Sequence, residues 1–411
     1  MLQLIATVIA FLAIPAMLHY KFKLSTTIVT TTIILALLSR LGFQALGSIV
    51  ANVFTDPYSR DTVLTIFIVS ILGGAMKHYG LLNAIVEGIL GIVKNKKIVL
   101  MMIPSLIGTL IIPGGAILSA PFVDDIGEEV GLKPPRRAVI NLIFRHIAML
   151  IFPFSMAILF LRSALPTINI YRVILMNIMF LGILLSVAYF LYLKDIMMSG
   201  EQGQVEKRDI VGSVKQLTLY TSPIYVPVLI NATIGAPFYQ AMLVSLAIVY
   251  FLSDKKEYAK VVKDSANWDT VKIVIAVLIM KDIILEMEQM MSVFDRIFES
   301  SSGNFSMMLI FMFTSLFFGF ITGYPTSALA VTLPMVSRLQ LPADQLHIFA
   351  FFLLISSFLG YYFSPVHLCQ AFTLKVMNVS TKDLYKEYRV YAMAAVLILM
   401  SSTAVLLYVY P

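Results

Sequence analysis

The sequence is short of charged residues and of cysteine. Asp, Glu, Lys and Arg together make up 13% of its 411 residues, while 59% of the residues are hydrophobic. The single cysteine, Cys369, excludes an internal disulfide bond. So little charge cannot cover the surface of a soluble protein of this length, and the mean hydropathy of +0.89 lies well outside the globular range. These shortages predict an integral membrane protein whose surroundings are the lipid bilayer.

The motifs of common enzyme classes are also missing. The sequence contains no His-Glu-x-x-His, no Gly-x-Ser-x-Gly and no phosphate-binding glycine loop. We therefore predict that the protein is not an enzyme and needs no cofactor. Two alternatives stay open: a membrane-embedded enzyme, in which Asp124 and Asp125 would hold a metal ion, and an anion channel.

The excess of basic residues, a net charge of +7, has a membrane explanation. Lys and Arg gather in short segments between apolar runs, as the positive-inside bias predicts, so no nucleic-acid partner is expected. The first apolar run, at about 2–18, has no basic residues before it. We therefore interpret it as a helix of the fold and not as a cleavable signal peptide.

Two long apolar stretches carry a helix-breaking motif near their middle. The stretch 98–123 contains Pro113-Gly114-Gly115, and the stretch 305–337 contains Tyr324-Pro325-Thr326-Ser327. Proline removes an amide donor and Gly-Gly is a poor helix interior, so each motif predicts a break. In hydrocarbon, broken backbone is tolerated only where protein or a water-filled cavity satisfies its polar groups. The two motifs therefore indicate a binding site or a hinge.

The two halves of the chain repeat each other at an offset of 212 residues. Four pairs of residues share this offset: Pro113 with Pro325, Pro153 with Pro365, Pro15 with Pro227, and Glu87 with Glu299. The tripeptide Asp61-Thr62-Val63 also returns, at 269–271. Four features in one register predict an internal duplication.

The distribution of charge distinguishes stretches that turn back from stretches that cross. If both broken stretches re-enter, one side receives 22 Lys and Arg and the other seven, with Arg145 inside the membrane. If both cross, the split is about 15 to 14 and the bias disappears. The charge bias therefore favours re-entry. With re-entrant stretches each half has five crossings, an odd number, so the two halves are inverted relative to each other. We therefore predict an all-α integral membrane protein with two inverted repeats of five transmembrane helices, each with a re-entrant helical hairpin and a broken helix.

The predicted boundaries follow from the apolar runs. The first repeat covers residues 1–193, with its hairpin at 98–123 and its broken helix at 138–163. A cytoplasmic linker covers 194–216. The second repeat covers 217–411, with its hairpin at 305–337 and its broken helix at 343–374. This arrangement places both termini outside a multi-pass cell (inner) membrane protein.

Inverted repeats whose broken helices meet at the membrane midplane are typical of secondary transporters. A half-helix that starts inside the membrane points free N–H groups at the cavity and suits an anion, while one that ends there offers carbonyl oxygens and suits Na⁺. The predicted substrate-binding residues are those at the hairpin tips and breaks: Pro113, Gly114, Gly115, Phe154, Ser155, Tyr324, Pro325, Thr326, Ser327, Ser364, Val366 and His367.

Ion coupling has separate candidates. Arg145, His146 and His367 are ionisable residues deep in predicted spans, and histidine titrates near neutrality. Alternatively, Arg145 extends to the cytoplasmic edge or pairs with Asp124 or Asp125. The hydroxyls of Thr326 and Ser327 could bind Na⁺, so H⁺ and Na⁺ both remain candidates for the coupling ion.

With these hairpins and breaks, the sequence resembles the ion-transporter superfamily of divalent-anion/sodium symporters and citrate, gluconate and arsenite permeases. The local sequence at 112–115 and 122–127 looks closest to an uncharacterised prokaryotic branch of that superfamily. Dicarboxylate members carry Ser-Asn-Thr at each tip, where this chain has Pro-Gly-Gly and Pro-Thr-Ser. The resemblance implies a homodimeric, ion-coupled secondary transporter of a small organic anion, a carboxylate or sugar acid, with an elevator-like movement.

Overall fold

The computed structural model describes residues 2–109, 116–196, 209–300, 304–339 and 341–410. These residues form helices and connections, with no strand among them. The helices of the first half are α1 (Leu2–His19), α2 (Leu24–Leu38), α3 (Phe43–Thr55), α4 (Pro57–His78), α5 (Leu81–Ile92), α6 (Lys96–Gly108), α7 (Ala116–Glu129), α8 (Pro134–Arg145), α9 (Ala148–Ile151), α10 (Met156–Ala164) and α11 (Ile170–Tyr192). Those of the second half are α12 (Ile210–Ile234), α13 (Phe238–Leu252), α14 (Tyr258–Ser265), α15 (Trp268–Glu286), α16 (Glu288–Ser300), α17 (Asn304–Thr322), α18 (Pro325–Arg338), α19 (Ala343–Tyr362), α20 (Leu368–Val376) and α21 (Thr381–Val409).

Eight helical segments of the described chain are long and apolar enough to cross a membrane. Seven coincide with predicted spans, and the eighth, Phe305–Thr322, is the first arm of the predicted second hairpin. The three other predicted spans are not among the eight. Two of them, α2 and α13, are apolar helices of 15 residues, shorter than the roughly 20 that a straight span needs. The third, α15, is 19 residues long but carries five charged residues. The prediction of an all-α protein is confirmed, and these segments are those of a multi-pass membrane protein.

The helices α6 and α7 pack side by side, and the start of α6 meets the end of α7. Lys96 Nζ lies 2.8 Å from Glu129 Oε2, although the two residues are 33 positions apart. The two helices are therefore antiparallel. At 13 and 14 residues each is roughly 20 Å long, about two thirds of the hydrocarbon thickness. In the second half α17 packs on α18, and Pro325 occupies the first turn of α18, where a missing amide hydrogen costs nothing.

Proline interrupts a helix at the same place in each half. α9 ends before Pro153 and α19 ends before Pro365, because proline cannot donate to the preceding turn and clashes with it. A nine-residue helix follows each interruption, α10 in the first half and α20 in the second.

The two halves exchange equivalent contacts. The helix α2 packs on α15 as α13 packs on α4, and α10 packs on α18 as α20 packs on α7. The carboxylate of Asp61 accepts a hydrogen bond from the Tyr239 amide at the start of α13, and that of Asp269 accepts one from Ser25 Oγ at the start of α2. The repeated tripeptides therefore occupy matching positions, each against the other half of the chain.

Two boundaries differ from their predictions: α7 continues to Glu129, beyond the predicted hairpin end at 123, and the linker is shorter than predicted. The helix α12 begins at Ile210, inside the predicted linker 194–216. Its polar first turns pack on α5, where Gln216 Nε2 donates to the Ala84 carbonyl over 3.0 Å. Hydropathy alone marks these polar turns as a connection because it does not register packing against a neighbour.

Candidate functional site

A cavity of about 450 Å³ lies between the two interrupted helices and a wall formed by α1, α2 and α15. The interrupted helices, together with α6 and the start of α18, contribute Gly108, Arg145, His146, Met149, Ser155, Met156, Ala157, Gly323, Tyr324, Pro325, Thr326, Tyr361, His367, Leu368 and Cys369. The opposite wall contributes Leu18, Phe22, Lys23, Leu24, Ser25, Asn267, Asp269, Thr270 and Ile273. Its size falls within the range of about 300–1,000 Å³ that is usual for small-molecule sites.

On the side of the interruptions, helices both begin and end at this cavity. The first turns of α10, α18 and α20 line it through Met156, Pro325 and Leu368, and the last turns of α6 and α8 line it through Gly108 and Arg145. The first turn of a helix has amide hydrogens without partners and a partial positive charge, and the last turn has carbonyl oxygens without partners. The amide hydrogens can bind an anion beside Arg145, and the carbonyl oxygens can bind a cation.

The Arg145 side chain is the buried charge of the cavity. The residue is 5% exposed, and its Nη1 lies 3.5 Å from Ser119 Oγ. No ion pair joins it to an acidic residue among the described residues. Asp124, which we considered as a partner from the sequence, is instead bound by Arg137 over 3.1 Å. An anion in the cavity would therefore find an uncompensated guanidinium.

Two histidines join the two interruptions. His146 Nε2 lies 3.1 Å from His367 Nε2, and Tyr361 Oη lies 3.3 Å from His146 Nε2. Because His146 Nδ1 lies 2.6 Å from the Leu142 carbonyl oxygen, that nitrogen carries the hydrogen and Nε2 is the acceptor. The contact ties α8 to the start of α20 across 221 residues of chain.

Cys369 stands beside this histidine pair. One ligand atom from each of His146, His367 and Cys369 lies within 4.8 Å of the others, the only such trio of His, Cys, Asp or Glu in the described part of the chain. Imidazole and thiolate suit a transition metal. However, the uncompensated charge of Arg145 lines the same cavity and opposes a second cation. The expectation of no cofactor stays a prediction.

The second hairpin tip supplies hydroxyl groups. Thr326 Oγ1 and Ser327 Oγ are buried and make no hydrogen bond of ordinary geometry in the described structure. The same holds for the hydroxyls of Ser356 and Ser357 on α19, which packs on α18. Hydroxyl oxygens without a partner are suited to a hard cation such as Na⁺.

The predicted site residues fall into three groups. Ser155, Tyr324, Pro325, Thr326 and His367 line the cavity, as do the coupling candidates Arg145 and His146. Those that do not line it are Phe154, which packs on Phe238; Ser364, which donates to the Phe320 carbonyl; Val366; and Ser327. Pro113, Gly114 and Gly115 lie outside the described residues.

Sequence reasoning missed Tyr361 and the whole wall from α1, α2 and α15. The repeat carried one usable signal, since Asp269 repeats Asp61 and stands at the mouth of the cavity. Tyr361 had no comparable signal because an aromatic residue in an apolar run is ordinary.

The cavity is closed at one end and open at the other. At its closed end, which we name the Asp61 side (Asp61 and Arg162), α10 packs on α4 and α18 packs on α15. Arg162 Nη1 lies 3.5 Å from Asp61 Oδ2, and its guanidinium stands over the Tyr58 ring. At the other end, the Asp269 side (Lys23 and Asp269), α20 makes no comparable contact with α15 in the described residues, nor does α7 with α4.

The sequence was compared with curated proteins and with protein-family models. No curated protein matches the chain. Residues 2–409 match the sequence model of a family described as "Protein of unknown function (DUF401)". Because the match covers nearly the whole chain, the protein belongs to this family.

Proposed function

We propose that the protein is a secondary active transporter of a small organic anion that works by alternating access. The observation that carries the proposal is Arg145, a buried cation on the wall of a membrane-protein cavity that has no acidic partner among the described residues. An isolated buried charge is expensive, and the helices that begin at the same cavity offer amide hydrogens to an anion as well. An anionic substrate would compensate both.

The proposed architecture is the predicted pair of inverted repeats with re-entrant hairpins. It is supported by the antiparallel pair α6 and α7, held by Lys96 and Glu129, and by the matched contacts of Asp61 and Asp269 with opposite halves of the chain. The predicted charge bias would place Lys23 and Lys96 in the cytoplasm, so the cavity would open inward and both termini would lie outside.

Alternating access is supported by the contrast between the two sides. The helices α10 and α18 pack on α4 and α15 on the Asp61 side, while α20 and α7 make no comparable contact on the Asp269 side in the described residues, so in this conformation a substrate would have one exit. A carrier needs this property, whereas a conducting channel needs a path open at both ends. Movement of the hairpins and interrupted helices against α4 and α15 would close the Asp269 side and open the Asp61 side. The homodimer remains part of the proposal as an implication of the resemblance.

Coupling to H⁺ or Na⁺ has a separate structural basis for each ion. A proton would bind at the paired imidazoles of His146 and His367, where a bound anion beside Arg145 would favour it. Sodium would bind at the hydroxyls of Thr326 and Ser327. Two variants separate the two ions. If the protein is coupled to H⁺, His367→Gln loses the uptake driven by a pH gradient. If it is coupled to Na⁺, Ser327→Ala loses the uptake driven by a sodium gradient.

The experiment for the main proposal is counterflow uptake into proteoliposomes with a panel of labelled carboxylates and sugar acids. We expect saturable uptake by the wild type. In Arg145→Gln the rate of uptake at low substrate concentration should fall at least about thirty-fold, because removal of one partner of a buried charge pair costs about 2–5 kcal/mol. Lys133→Gln is the matched control, since Lys133 is an exposed cation just before the same helix α8. Flux that never saturates would favour the channel, and turnover of a compound without transport would favour the enzyme.

A further inference from the structure

The charges around the cavity bear on the charge of its substrate. Three Lys or Arg side chains are buried among the described residues, and two of them are paired: Arg137 with Asp124, and Lys281 with Asp282 over 2.6 Å. Arg145 is the third. The one other cation on the cavity wall, Lys23, is exposed at the mouth and lies 3.9 Å from Asp269.

Before a coupling ion binds, the described residues of the cavity therefore offer one full positive charge to a ligand. A monoanion would neutralise it. A dianion would need a coupling cation for its second negative charge, because the described wall holds no second unpaired Lys or Arg and burial of an unpaired charge is strongly unfavourable.

The wall opposite the interruptions indicates whether the part of the substrate beyond its anionic group is polar or apolar. Leu18, Phe22, Leu24 and Ile273 present apolar side chains there. The polar residues of this wall are engaged with one another: Ser25 Oγ donates to Asp269, and the Asn267 side chain caps α15 by accepting from the Thr270 amide. A substrate covered with hydroxyl groups would leave many of them without partners, whereas an apolar body would pack on these side chains.

We propose that the substrate is an amphiphilic monocarboxylate: its carboxylate binds Arg145, and its apolar body, of the size of an aromatic ring or larger, packs on Phe22, Leu24 and Ile273. This inference rests on the proposed transport of anions through this cavity and narrows it. A volume of about 450 Å³ exceeds the need of a two- or three-carbon acid and admits a ring with its side chain.

The test is a binding series on the purified full-length protein, measured by calorimetry. Phenylpropionate is the probe, and each comparison compound changes one property: propionate lacks the ring, phenylpropionamide lacks the charge, phenylsuccinate adds a second carboxylate, and gluconate replaces the apolar body with hydroxyls. We expect phenylpropionate to bind tightest, about thirty-fold tighter than propionate, from burial of the ring.

Two variants assign the contacts. Phe22→Ser lies in the connection between α1 and α2, half exposed, so the fold tolerates it. It should weaken phenylpropionate several-fold and leave propionate unchanged. Arg145→Gln should weaken both carboxylates and leave the amide unchanged.

The outcomes separate this inference from the function on which it rests. Tighter binding of phenylsuccinate or gluconate, lost in Arg145→Gln, would overturn the monocarboxylate class and leave anion transport standing. The class is also overturned if no compound of the series binds while other anions show uptake that depends on Arg145. Binding of every compound, the amide included, with no effect of Arg145→Gln would overturn both.

Discussion

The Asp61 side and the Asp269 side of the cavity are built from equivalent helices, yet one is closed and the other open. On the Asp61 side α10 and α18 pack on α4 and α15, while on the Asp269 side α20 and α7 make no comparable contact in the described structure. Both sides carry the same Asp-Thr-Val tripeptide, so a difference in local sequence at these aspartates does not explain the asymmetry. Under the proposed alternating access, α7 and α20 would close the Asp269 side in the opposite conformation.

The two aspartates show the same contrast in detail. Asp61 is buried, accepts from Thr65 Oγ1 and the Tyr239 amide, and pairs with Arg162 on α10. Asp269 is half exposed and lies 3.8 Å from Lys272 of its own helix. Lys375, in the last turn of α20, stands one position beyond the equivalent of Arg162 and makes no ion pair in the described structure. An exchange of partners, Asp61–Arg162 for Asp269–Lys375, is the expected signature of the opposite conformation.

The largest effect is expected from locking one side. Thr62 Oγ1 lies 3.3 Å from the Leu159 carbonyl oxygen across α4 and α10, and the equivalent residues on the other side are Thr270 and Ala371. With Cys369→Ser as background, a cysteine pair at 62 and 159 should join through a short bifunctional thiol reagent and abolish uptake. The pair at 270 and 371 should join only when the Asp269 side closes, for example under an imposed substrate gradient.

The measurement is uptake before and after cross-linking, with the extent of linkage read from mass spectrometry. Uptake that persists in fully linked 62–159 protein would contradict alternating access. Failure of the 270–371 pair to join under any gradient would contradict closure of the Asp269 side. Each single-cysteine variant serves as a control for chemical damage.

A smaller effect is expected where helices approach most closely, and here the two halves should differ. A Cβ on Gly108 would lie 2.0 Å from the Arg145 carbonyl oxygen, and one on Gly319 would lie 2.6 Å from that of Ser357. Both Gly→Ala changes should destabilise the protein by about 1–3 kcal/mol because backbone must shift. Only Gly108→Ala displaces Arg145, so only it should weaken anion binding, by about ten-fold.

Thermal unfolding and ligand titration of the two variants test this difference. Gly182→Ala is the control, because no atom lies within 4 Å of the added Cβ. Equal anion affinity in Gly108→Ala and Gly319→Ala would mean that the position of Arg145 does not govern binding.

The smallest effect concerns the ion pair on the closed side. Asp61→Asn keeps the hydrogen-bond acceptor but removes the charge that holds Arg162, so it should weaken closure by about 1 kcal/mol, roughly five-fold in the populations of the two states. A membrane-impermeant maleimide added on the Asp269 side reports this shift: its rate of labelling of the native Cys369, which lines the cavity, should fall. Asp269→Asn is the matched change on the open side, where exposed charges are screened, and should leave the labelling rate nearly unchanged. Equal rates in both variants would remove Asp61 from the role of a latch.

The sequence by itself determined the features that depend on local chemistry. Hydropathy located the long apolar helices, and Pro153 and Pro365 located the interruptions, because a missing amide donor breaks a helix wherever it falls. The breaks also predicted that Ser155, Thr326 and His367 lie at a site, and all three line the cavity. The physical reason is that broken backbone inside a membrane protein needs a polar surrounding.

Only the tertiary structure decided which side chains meet. Hydropathy does not encode the rotation of a helix about its axis. The contact of His146 with His367 therefore required segments 221 residues apart to be packed together. Even the pairing of Asp124 with Arg137, which leaves Arg145 without that partner, depended on how the neighbouring helices α7 and α8 face each other. The open and closed sides are a further case. Under the proposed mechanism, two nearly equivalent sets of contacts would compete for the same helices, and their balance would be a property of the packed molecule that no stretch of sequence carries alone.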